Sequence, residues 1–203
     1  MEYHTFLFPL TVLITALFCR LPFTNFPIDD DFAIYTYRAR FAKRGFKWKK
    51  DVQLIGSPFW KMPLLDLLYG NPEGGIRRLR RLQTAFHMLS AGVVYYVTWS
   101  FTQSPVAALM AGLLYAFYGT SPDLIAGSFN FEQFYIPFIM MGLAFAESGP
   151  ENILLAGLCF GLASLAKVTT LIFVPAMMLP AVVAYGIKPA LIMGLAAVIP
   201  TLI

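Results

Sequence analysis

Three adjacent carboxylates, Asp29, Asp30 and Asp31, follow the first apolar segment of the chain by a few residues. Neighbouring carboxylates repel one another, so they need a cation, a metal ion or the N-terminus of a helix close by. A helix N-cap uses only one such residue, which makes simple capping the weaker explanation. The run of three therefore predicts a functional site, with capping as the alternative.

Three further charged residues stand in apolar surroundings. Glu132 opens an apolar segment, where it is either a first-turn acid on the helix dipole or a second carboxylate of the kind used in glycosyl chemistry and divalent-metal binding. Lys167 interrupts an apolar sequence on both sides, which favours snorkelling or an anion-binding role. Lys61, next to Trp60, fits an interface anchor and an anion ligand equally well. His87 lies inside an apolar segment and predicts a satisfied packing residue.

The composition determines the class of protein. Of the 203 residues, 58% are hydrophobic and 13% are charged, and the mean hydropathy is +0.67. These values exclude an ordinary water-soluble domain and predict an integral membrane protein. A cleaved signal peptide is the alternative for the first apolar segment, but Glu2 and His4 stand where a basic region would be expected.

Breaks at proline, glycine and charged residues divide the chain into apolar segments. We predict an all-α, polytopic helix bundle in which residues 1–203 form one membrane module. Its seven expected spans are 6–23, 82–101, 105–120, 132–146, 153–166, 169–186 and 189–203. The long loop 24–81 is expected to hold interfacial helices, the first of which begins at the aspartates and contains Tyr35.

Counting the crossings places loops 24–81, 121–131 and 166–168 on one side of the membrane. The aspartates, Lys61, Glu132 and Lys167 then share one face, which predicts a site for a phosphorylated, lipid-linked ligand. Arg77, Arg78, Arg80 and Arg81 are interpreted as headgroup-level anchors, so we expect membrane lipids and no nucleic acid as partners. Cys19 and Cys159 lie in apolar segments and predict buried thiols.

An ordered series of short motifs resembles the N-terminal half of the GT-C fold glycosyltransferases that use polyprenyl-phosphate sugars. The nearest groups are the dolichyl-phosphate-mannose protein mannosyltransferases and the bacterial aminoarabinose transferases. The series covers nearly the whole chain: Asp29-Asp30-Asp31-Phe32-Ala33-Ile34-Tyr35, Lys61-Met62-Pro63-Leu64-Leu65, Asn130-Phe131-Glu132, and Leu155 to Ala163 followed by Lys167.

The resemblance implies transfer of a sugar, with inversion, from a polyprenyl phosphate to an acceptor hydroxyl. Asp29 or Asp30 would act at the reaction centre as base or metal ligand, and Glu132 would be the second acid. Lys61 and Lys167 would lie near the donor phosphate, and Asp31 and Tyr35 would bind substrate. No dedicated metal site or other cofactor is expected, although a divalent cation is one way to balance the phosphate charge.

Two alternatives to a catalytic module remain. The chain could be a non-catalytic subunit that keeps the fold and packs within a larger membrane complex, and a transporter is a weaker third reading. Relatives of the resembling families are longer, so we expect an N-terminal module of a multi-pass protein of the inner or plasma membrane. The basic first loop predicts a cytoplasmic location for that loop, whereas the resemblance implies the opposite side.

Overall fold

The computed structural model describes residues 4–25, 72–120, 132–166, 170 and 172–201, and every structural statement below concerns these residues. Within them the chain is all-helical, with seven α-helices and no strand, which confirms the all-α prediction. The helices are α1 His4–Arg20, α2 Pro72–Thr102, α3 Pro105–Tyr118, α4 Glu132–Ser148, α5 Ile153–Ala166, α6 Phe173–Tyr185 and α7 Ile187–Val198. Short 3₁₀ turns cover Leu21–Asn25, Pro150–Asn152 and Ile199–Thr201.

The helix boundaries follow the breaker residues of the sequence. α3 begins with Pro105 at its first position, and the Ser104 side chain accepts a hydrogen bond of 3.3 Å from the Ala107 backbone N–H. A backbone N–H at the first position of a helix has no partner within the helix, so proline, which has no N–H, is well tolerated there. The serine side chain satisfies one of the free N–H groups of the first turn. Gly186 separates α6 from α7 with φ 88°, a conformation that glycine adopts without strain. α2 begins at Pro72 rather than at Leu82, again with proline in the first turn.

One helical stretch in the described ranges, Phe6–Thr24, is long and apolar enough to cross a membrane. Its length and composition are also those of a signal sequence. The remaining short apolar helices have 10–17 residues each: Pro105–Tyr118, Tyr135–Ser148, Pro150–Ser164, Val174–Tyr185 and Ile187–Val198. They lie where spans were predicted but are shorter than the ~20 residues of a full crossing.

Two separate groups of buried apolar residues hold the bundle together. The N-terminal cluster, formed by α1, α2 and α3, consists of Val12, Ala16, Ala91, Tyr95, Ala108 and Ala116. The C-terminal cluster, formed by α5, α6 and α7, consists of Ile153, Ala156, Phe160, Val174, Ala181, Ala190, Met193 and Ala197.

α4 lies between the two clusters and contacts both α2 and α5. On one side Phe138 meets Phe86 of α2, with the ring centroids 6.3 Å apart. On the other side Gly142 lies so close to the Phe160 ring of α5 that an added Cβ would be 2.6 Å from it. The fold thus places the N-terminal half of α2 beside the N-terminal half of α4.

Large apolar side chains cover much of the outer surface. Phe6, Val106, Phe117, Val183 and Leu195 are each between 59% and 88% exposed. Exposed apolar area on this scale is unusual for a monomer in water and is typical of a surface that contacts lipid or another protein.

Candidate functional site

The candidate site lies where four helix termini meet. α1 ends there, α2 begins, α3 ends and α4 begins. α1, α2 and α3 contact one another, and α4 contacts α2. We call this the loop end of the bundle, since residues 26–71 and 121–131 leave from it.

Most of the predicted site residues lie outside the described part of the chain. Asp29, Asp30, Asp31, Tyr35, Lys61 and Lys167 all belong to this group. Glu132 is the first residue of α4, but its side chain is likewise outside the described part. The proximity of the aspartates to Glu132 therefore stays a prediction.

The loop end contains a group of buried polar side chains that the apolar composition does not lead one to expect. We call it the buried polar cluster, and each member is at most 8% exposed: Arg20, Arg80, Gln83, Thr84, His87, Ser90 and Thr120. Five of the seven belong to α2 and recur at helical spacing, so they lie on one face of that helix. This face packs against α1 and α3.

Arg20 is the last residue of α1 and is only 1% exposed. Its Nη1 and Nη2 atoms are both buried, and neither has a hydrogen-bond partner among the described residues. Arg80, His87 and Tyr115 are all within electrostatic range of it. A buried guanidinium without an acceptor loses its hydration with no compensation, which is a strongly unfavourable state.

Arg80 brings a second guanidinium to the same place and is 2% exposed. Its Nη1 donates to Oε1 of Gln83 at 3.5 Å, and its backbone carbonyl accepts from Oγ1 of Thr84 at 2.9 Å. Arg80 was interpreted, together with Arg77, Arg78 and Arg81, as a headgroup-level anchor. That interpretation is wrong for Arg80, whereas the other three side chains are exposed.

His87 links α2 to α3. Its Nε2 lies 3.2 Å from the Ala116 carbonyl oxygen, which can only accept, so Nε2 donates. The ring stacks on Tyr115 with centroids 5.6 Å apart and an interplanar angle of 24°. Gly119 allows this approach, because a Cβ there would be 2.9 Å from Cε1 of His87. The prediction of a satisfied packing histidine is confirmed.

An apolar cleft of about 280 Å³ lies at the same end, between α4, α5 and the start of α6. Tyr135 connects the cleft with the buried polar cluster, since it lines the cleft and interacts electrostatically with Tyr115. The other lining residues are Ile139, Phe160, Ala163, Thr170, Val174 and Met177. A larger, mostly apolar cleft of about 1050 Å³ lies between α1, α2 and α4 towards the opposite end, where Glu147 contributes to its lining.

The described part of the site is cationic. Glu147 and Glu151 are exposed and lie at the end of the bundle opposite the buried polar cluster. No group of three or more metal-ligating side chains occurs in the described ranges. Both cysteines are free thiols, and only Cys159 is buried. Two arginines at the end of the bundle that also holds an apolar cleft are a suitable environment for an anion with an apolar tail.

Arg20 and the inward position of Arg80 were not among the predicted site features. Two features of the sequence could have indicated them: Arg20 is the only charged residue between Phe6 and Phe23, and Arg80, Gln83, Thr84 and His87 follow a helical period.

Comparisons with protein-family models, curated proteins and solved structures find no match to this chain.

Proposed function

We propose that this chain is a membrane glycosyltransferase, or the N-terminal module of one, that transfers a sugar from a polyprenyl phosphate to an acceptor hydroxyl with inversion. One observation carries the proposal. The buried cations Arg20 and Arg80 lie at the end of the bundle from which the segments with Asp29, Asp30 and Lys61 leave. A site that combines cations with carboxylates is what phosphate departure and hydroxyl deprotonation require.

The proposal includes a multi-pass position in the inner or plasma membrane. Phe6–Thr24 has the length and composition of a span, and the other apolar helices are exposed on the outside of the bundle. Val183 on α6 is 88% exposed, a value that suits contact with lipid. The lipid-linked donor would then reach the site from within the bilayer.

In the proposed reaction the acceptor oxygen bonds to the anomeric carbon while the bond from that carbon to the phosphate oxygen breaks. Asp29 or Asp30 takes the hydroxyl proton, and Glu132 is the second acid. The electron pair of the broken bond leaves with the lipid phosphate.

The remaining predicted site residues bind the donor and the substrate. Lys61, Lys167 or a divalent cation balances the charge of the lipid phosphate, while Asp31 and Tyr35 contact the substrate.

A transfer assay with radiolabelled polyprenyl-phosphate sugars tests this function. We expect Asp29→Asn, Asp30→Asn or Glu132→Gln to lower transfer by roughly 10²–10⁴-fold, the usual contribution of a positioned acid or base. Glu147→Gln is the matched control, because this exposed acid lies at the opposite end of the bundle. Wild-type levels of transfer in all three site variants, or no transfer by the wild type with any donor, would contradict the proposal.

The second candidate is a non-catalytic subunit of a larger membrane complex. The exposed apolar surfaces of α6 and α7, with Val183 and Leu195, favour it because they offer a face for another membrane protein. A wild-type protein that is inactive alone but copurifies from the membrane in a defined stoichiometric complex would support this function over the first.

A further inference from the structure

The Arg20 guanidinium is buried in the described part of the molecule, and the fold gives its terminal nitrogens no hydrogen-bond acceptor there. It is 1% exposed, and its two terminal nitrogens lack hydrogen-bond partners among the described residues. Other buried polar side chains nearby have partners: His87 donates to Ala116, Thr84 to Arg80, and Ser90 to the Phe86 carbonyl at 2.8 Å. These three side chains therefore have partners, whereas the terminal nitrogens of Arg20 have none among the described residues.

Packing alone does not account for this arrangement. Arg80 lies within electrostatic range of Arg20 and carries the same charge, so the two guanidiniums repel each other in a buried place. An apolar residue at position 20 would avoid both the repulsion and the lost hydration. A bound anion removes both penalties at once, because the two terminal nitrogens of Arg20 present a planar fork of donors that matches phosphate or carboxylate oxygens.

We infer that Arg20 forms an internal binding site for a phosphate monoester, with the nearby Arg80 adding positive potential. A positive potential of this kind favours a monoester, which carries nearly two negative charges at neutral pH, over a diester, which carries one. The lipid-linked form of this ligand rests on the proposed transferase function, in which the donor is a diester and the departing lipid phosphate is a monoester. The site would then bind the departing group more tightly than the donor and stabilise the charge that develops during transfer.

Thermal unfolding of the purified full chain in detergent tests the site without requiring transfer. The ligands are inorganic phosphate, a short polyprenyl phosphate, the methyl diester of that phosphate, and the matching polyprenol. We expect the monoester to raise the Tm by about 5 °C or more at roughly 100 times its Kd. The diester should bind at least ten-fold more weakly, and the polyprenol should have no effect. The inorganic phosphate arm shows whether the phosphate group alone is sufficient.

Substitutions at two arginines separate the site from general surface charge. Arg20→Met should raise the Tm without ligand, because an uncompensated buried charge is removed, and should abolish the response to the monoester. Arg20→Lys keeps the charge but loses the fork, so we expect at least ten-fold weaker binding. Arg81→Gln is the control, since Arg81 neighbours Arg80 on α2 but is exposed, and it should respond as the wild type does.

Three results would overturn the inference. The first is a wild type that does not respond to either phosphate monoester. The second is an Arg20→Met variant with a lower Tm and an unchanged ligand response, which would show that Arg20 is neutralised within the chain, for example by an aspartate of the 29–31 run. The third is equal binding of monoester and diester. Failure of the transferase function has a different signature: the monoester response persists while no sugar is transferred.

Discussion

The helices α1–α3 and the helices α5–α7 bury side chains of different chemistry. In the first group the interior includes Arg20, Arg80 and His87. In the described residues from Ile153 onward, the buried polar side chains are the hydroxyls of Ser164 and Thr170. Ser164 donates locally to the Gly161 carbonyl at 2.6 Å, within its own helix.

The difference separates packing from function within one bundle. α5 and α7 approach closely through small residues, and Gly157 and Gly161 of α5 lie directly against backbone carbonyls of α7. Such contact needs no polar group and suffices to hold helices together. The charges buried by α1–α3 are therefore not needed for close helix packing, which is why we propose a ligand site at the loop end.

The largest expected effect comes from a substitution in α5, where this helix packs against α7 in the C-terminal cluster. A Cβ on Gly157 would overlap the Met193 carbonyl oxygen and lie 2.7 Å from Cβ of Ala196, so α7 must shift. We expect Gly157→Ala to lower the free energy of unfolding by about 3 kcal/mol, measured by denaturation in detergent. The response of the remaining folded protein to phosphate monoester should be unchanged.

Gly194→Ala is the matched control for Gly157→Ala. The Cβ of residue 194 would meet only the Met178 side chain, with Sδ at 2.8 Å, and a flexible thioether can move away. The higher helix propensity of alanine also offsets part of the strain. Equal losses of stability in the two variants would show that the small residues of α5 do not set its distance from α7.

A substitution of intermediate expected effect lies in the buried polar cluster. His87→Leu removes the 3.2 Å donor of the Ala116 carbonyl, which keeps the longer bond of 3.5 Å from Oγ1 of Thr120, so we expect a loss of about 1.5 kcal/mol in the free energy of unfolding. His87→Gln offers a side-chain N–H in place of Nε2 and should recover part of that loss. If His87→Leu were as stable as the wild type, the histidine would have to be counted with the ligand-binding groups and not with the packing.

The smallest expected effect lies at the end of the bundle opposite the buried polar cluster. Ser104→Ala removes the side-chain acceptor for the Ala107 N–H at the start of α3, which should lower the free energy of unfolding by about 1 kcal/mol. Ser104→Asp keeps an N-cap acceptor and should retain wild-type stability. A change in phosphate response in Ser104→Ala would contradict the view that the binding groups are confined to the loop end.

The helical architecture could be predicted from local features, with errors of a few residues at the ends of helices. Pro105 after Ser104 marks the start of α3 as expected, whereas α7 begins at Ile187, two residues before the expected start at Pro189. The start of α2 was missed because Pro72 opens a helix as readily as it ends one, and the polar sequence that follows does not resemble a span. His87 could be assigned to packing because a single histidine in an apolar helix finds a backbone partner easily.

Composition and breaker residues act locally, so they suffice to predict a chain that is helical, strongly apolar and charged mainly in one stretch. Which arginine of the group 77, 78, 80 and 81 turns inward depends on the packing of whole helices. The four share one residue type and one short stretch, so the choice depends on which face of α2 meets α1 and α3. The same contact brings Arg20 to Arg80 across sixty positions of chain, a proximity set by helix packing and not by any local pattern.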